Sequence, residues 1–102
     1  MSQEQTASRS VPSFQRRHAD VIHQSLDRLL AMAYRYQTEG NVWQAVGMYW
    51  MLVEEHAGTV QSLEAEQRLL KLAETYERND ARHMAHAIYK RLSDLGHRRE
   101  VN

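Results

Sequence analysis

The sequence repeats itself at an offset of 40 residues, and this repeat limits the available folds more than any other feature. Leu29, Leu30, Ala33 and Tyr36 are matched by Leu69, Leu70, Ala73 and Tyr76. Further on, Ala45, Tyr49 and Leu52 are matched by Ala85, Tyr89 and Leu92. LLAMAYRY and LLKLAETY are thus equivalent helices, and QAVGMYWML and MAHAIYKRL are their partners. A fixed period of this size marks stacked supersecondary units that cannot bury their apolar faces alone. Each unit reads as a helical hairpin. Its small alanines let two helices approach, and its tyrosines fill the space between them.

Turn signals place the boundaries. Pro12 precedes Ser13, a suitable N-cap, and residues 1–12 read as a polar, disordered tail. Apolar residues then recur at helical spacing from Phe14 through Val21, Ile22, Leu26 and Leu29 towards Glu39. Gly40-Asn41 breaks that long helix. A second helix spans about Val42 to His56 and stops at Gly58. Thr59 or Ser62 caps a third that ends near Arg78. After the Asn79-Asp80 turn, a fourth runs from about Ala81 to Leu95, with Gly96 as its end. Gly47, inside the second helix, reads as a close helix contact. The predicted fold is all-α: one domain over residues 13–97, two antiparallel hairpins, and a short tail at 98–102.

Composition excludes several classes. Apolar residues make up 42% and charged residues 25%, ordinary for a soluble globular domain. There is no cysteine, hence no disulfide, thiolate metal site or cysteine nucleophile. No run approaches the roughly 20 apolar residues of a membrane span. The polar opening MSQEQTASRS lacks an apolar signal-peptide core, which predicts a cytoplasmic location. The net charge is zero but unevenly spread: residues 39–77 hold seven Glu against Arg68 and Lys71, and both flanks are basic. An acidic middle between basic ends argues against nucleic-acid binding, which usually needs one basic face.

The series Leu29, Ala33, Tyr36, Ala45, Tyr49 and its copy Leu69, Ala73, Tyr76, Ala85, Tyr89 resemble the tetratricopeptide repeat over residues 26–97. This chain departs from the family's pattern in three ways. The family's unit is shorter, roughly 34 residues. It has alanine where Leu52 and Leu92 stand, and proline where Ala57 and His97 stand. The resemblance implies a non-catalytic protein-binding module, a small adaptor or assembly factor, whose concave face is built by the first helix of each hairpin. That face maps onto Asp27, Leu30, Tyr34 and Gln37, then onto Gln67, Leu70, Glu74 and Glu77. Its apolar and acidic character suits a peptide or helix with apolar anchors and basic flanks.

The second helices differ in a telling way. Trp43, Val46, Trp50 and Met51 in the first copy become His83, His86, Lys90 and Arg91 in the second. A polar last helix suits a solvent-facing cap. Ala45, Tyr49 and Leu52 pack within their hairpin, leaving Trp43, Val46, Trp50 and Val53 as a second apolar stripe. Each tryptophan carries roughly 150–250 Å² of buriable surface, so the stripe requires a cover. Either the following hairpin or a second copy of the chain supplies it. The expectation is a homodimer whose contact draws on Phe14, Val21, Trp43, Val46 and Trp50.

Catalytic signals are weak. Asp80, His83 and His86 lie at i, i+3 and i+6. A four-helix di-metal site needs two acid-x-x-His pairs and two further inward glutamates, and only one such pair exists. The three are expected on the surface, with no catalytic residue, metal or cofactor. The rival reading is a helical bundle that holds a metal or small ligand, or a protein whose self-assembly is its function.

Overall fold

The computed structural model describes residues 13–101, with side chains described for residues 19–98. It contains α1 (Ser13–Thr38), α2 (Val42–Glu55), α3 (Val60–Arg78) and α4 (Arg82–Val101), with no strand among the described residues. This is the all-α pair of helical hairpins that the repeat predicts. The expected tail at residues 1–12 and the side chain of Phe14 lie outside the described residues.

The repeat is visible in the hydrogen bonds of the two turns. Gly40 N–H donates to Gln37 O (3.2 Å) and Asn41 N–H to Tyr36 O (2.8 Å). Forty residues on, Asp80 N–H donates to Glu77 O (3.2 Å) and Ala81 N–H to Tyr76 O (2.8 Å). Both turns need one left-handed residue, supplied by Gly40 (φ 92°) and by Asp80 (φ 62°). Between the hairpins, Gly58 (φ 88°) turns the chain out of α2, and Thr59 caps α3: its Oγ1 accepts from Ser62 N–H at 3.0 Å.

Consecutive helices pack on one another, and α1 also meets α3. The matched alanines Ala33, Ala45, Ala73 and Ala85 are all buried, which is why these backbones can approach. Tyr49, Leu52 and Leu69 are the largest fully buried side chains, whereas their copies Tyr89, Leu92 and Leu29 are half-buried. Those three lie on the first and last helices of the described residues, whereas α2 and α3 pack between other helices. Position in the stack, not residue type, sets the difference.

Two sequence expectations about glycine fail. A Cβ on Gly47 would meet nothing within 4 Å, so no close helix contact requires glycine there. Helix α4 passes through Gly96 and continues to Val101. Glycine permits a stop but does not impose one. No proline follows Gly96, and among the described residues no left-handed residue follows it to halt the backbone ladder.

Candidate interaction surfaces

The first surface is the strip where α1 and α3 lie side by side. Several of its expected ligand-facing residues hold the fold together. Asp27 Oδ1 accepts from Gln61 Nε2 (2.8 Å), a buried side chain of α3. The guanidinium of Arg68 lies over the Tyr34 ring, 4.4 Å from its centroid, and Arg68 Nε is 3.1 Å from Glu64. Gln37 Oε1 accepts from the Tyr49 hydroxyl (2.7 Å), and the matched Glu77 Oε1 accepts from the Tyr89 hydroxyl (3.0 Å). Burial pushes the Tyr49 hydroxyl above its usual pKa, with the Arg68 guanidinium pulling the other way. Burial and the Glu77 carboxylate push Tyr89 upward as well.

The strip is therefore uneven. Asp27 and Tyr34 are tied into the joint between hairpins, and Gln37 is tied to α2 inside the first hairpin. On α3, Gln67, Leu70 and Glu74 are exposed, as is Leu63 beside them. Leu30 is half-buried between the two groups. The offset explains this: the α1 face carrying Asp27 and Tyr34 meets α3, and among the described residues no further helix meets the equivalent α3 face carrying Gln67 and Glu74.

The second surface is a groove on the opposite side. Among the described residues the backbones of α2 and α4 do not approach each other, and between them lies a groove of 460 Å³. Trp43, Val46 and Trp50 form one wall, Met84, Ala87 and Ile88 the other, and Tyr76 of α3 contributes to the lining. Arg91 bridges the walls. Its guanidinium lies 4.3 Å from the Trp50 ring centroid, while its Nε and Nη2 each donate to Glu54 at 2.8 Å.

The tryptophan stripe accordingly divides. Trp50 (6% exposed) and Val53 (3%) belong to the chain's own core, and Trp50 also lines the groove. Val46 is half-buried on the groove wall, whereas Trp43 is 73% exposed at its rim. Val21 on α1 is 57% exposed, well away from the groove residues in sequence. The α4 wall escaped the sequence reading, which treated this helix as a polar cap. Met84, Ala87 and Ile88 at i, i+3 and i+4 were the available signal.

Asp80, His83 and His86 are exposed, and no group of three His, Cys, Asp or Glu side chains among the described residues is placed to hold a metal. No helix of the described residues is long and apolar enough to cross a membrane. No family model, curated protein or solved structure matches the chain.

Proposed function

We propose that the chain is a non-catalytic protein-interaction module of tetratricopeptide type, a small cytoplasmic adaptor or assembly factor. It binds a peptide or helix along the open face of α3. The observation that carries this reading is the exposure of Leu63 and Leu70 on a helix that also presents Glu74 at its surface. Exposed leucines in line offer anchoring contacts, and the adjacent carboxylates favour a ligand with lysines or arginines beside its apolar anchors. Asp27 and Tyr34 act as the frame that holds α3 in place.

Titration calorimetry with two synthetic amphipathic helical peptides tests the proposal. Both carry the same leucine anchors, one with lysine flanks and one with glutamate flanks. The lysine peptide should bind, weaken as salt rises, and lose at least tenfold in affinity against a Leu70→Ser/Glu74→Lys chain. Equal binding of the two peptides, or no effect of the double substitution, would overturn it.

A further inference from the structure

We propose that the groove between α2 and α4 is a self-association site, in which Trp43 of each chain enters the groove of a twin about a twofold axis. The groove and its occupant are offered by the same surface. Its volume of 460 Å³ and its lining of Val46, Trp50, Met84, Ala87 and Ile88 suit a large apolar side chain. The exposed aromatic side chain at its rim is Trp43. A residue at the rim of its own acceptor groove is the arrangement that makes a twofold contact self-complementary, because each copy gives and receives the same group.

Charge favours this occupant. Helices α2 and α4 run in the same direction, since one hairpin follows the other. A twofold axis along the groove, parallel to both, lays α2 of each copy over α4 of its twin. α2 holds Glu54 and Glu55 and no basic residue, whereas residues 82–101 hold five Lys or Arg against two acids. Glu54 already pairs with Arg91 of its own chain and Lys90 with Asp94, so the contact between copies sets Glu55 of each α2 against the second half of the twin's α4, which carries Arg98. The same rotation sets Trp43, near the start of α2, over the first half of α4, where His83, Met84 and Ala87 line the groove. Zero net charge leaves no overall repulsion between copies. Residues 1–12 are a poorer filler, because MSQEQTASRSVP contains no aromatic residue.

The proposal is independent of peptide binding on α3, and so is its test. Sedimentation velocity of the full chain at tens to hundreds of micromolar should give a species of twice the 12.0 kDa chain mass. Trp43→Ala and, separately, Ala87→Glu should each give the single-chain mass with unchanged helical signal. Both positions are exposed, so neither change disturbs the core. Acrylamide quenching of wild-type tryptophan fluorescence should fall as concentration rises, as Trp43 becomes covered. A wild-type chain that stays monomeric overturns the proposal, as does a dimer that survives either substitution. A monomer that binds the amphipathic peptides in a Trp43-dependent way also overturns it and assigns the groove to a different protein.

Discussion

Tyr49 concentrates the logic of the hairpin in one side chain. Its ring is fully buried, and its hydroxyl reaches across the hairpin to Gln37 at 2.7 Å. Burial favours the neutral phenol, so the folded-state pKa lies above the unfolded value of about 10. The associated stability is fully present below that unfolded value and is lost as pH rises through the folded one. Tyr76 and Tyr89 are raised in the same sense, so the fold should weaken in strong base and be indifferent to tyrosine titration at neutral pH. Tyr49→Phe should cost about 1 kcal/mol at pH 7, the usual net worth of one hydrogen bond. It should also flatten the alkaline fall, which urea unfolding at pH 7 and above pH 10 can measure. The repeat marked Tyr49 as an inner residue. Its greater burial relative to Tyr89 depended on which hairpin lies in the middle.

At the scale of the element, the two turns perform one task with different residues. Gly40 adopts φ 92° without a Cβ, whereas Asp80 holds φ 62° with one. Aspartate tolerates the left-handed region better than most residues but still less easily than glycine. Asp80→Gly should therefore stabilise the second hairpin by about 0.5 kcal/mol, because relief of the left-handed strain outweighs the opposing gain in unfolded-chain entropy. A higher urea midpoint with an unchanged slope would be the sign; a lower midpoint would show that the Asp80 side chain contributes more than its strain. Helix existence and these turns were legible because periodicity and turn chemistry are local. The end of α4 was not, because Gly96 only allows termination.

For the whole molecule, the question is what sets the spacing of α2 and α4. Both helices pack on α3, and Arg91 links them directly, stacked on Trp50 and bidentate to Glu54 from the neighbouring hairpin. Arg91 and Glu54 are 47% and 31% exposed, so solvent screens the pair, and the stack and fork geometry carry most of its worth. Arg91→Ala should lower stability by about 1 kcal/mol, near 4–8 °C in Tm for a domain of this size. Arg91→Lys should recover little, since an ammonium cannot form the fork or lie flat on the ring. Thermal unfolding of the three chains at low and high salt would separate the two contributions, because salt screens the ion pair more than the stack.

The sequence by itself determined the helices, their pairing into hairpins and the alanine and tyrosine positions between them. Spacing along one chain encodes which side chains share a helix face. It could not decide whether the second apolar stripe of α2 was core or surface. That depends on how far α4 lies from α2, both being packed on α3 and not on each other. Tertiary packing covered Trp50, left Trp43 in solvent, and opened a groove lined by Met84, Ala87 and Ile88 from a helix whose sequence reads as polar. Burial of a stripe is a property of two helices, and only their arrangement in space defines it.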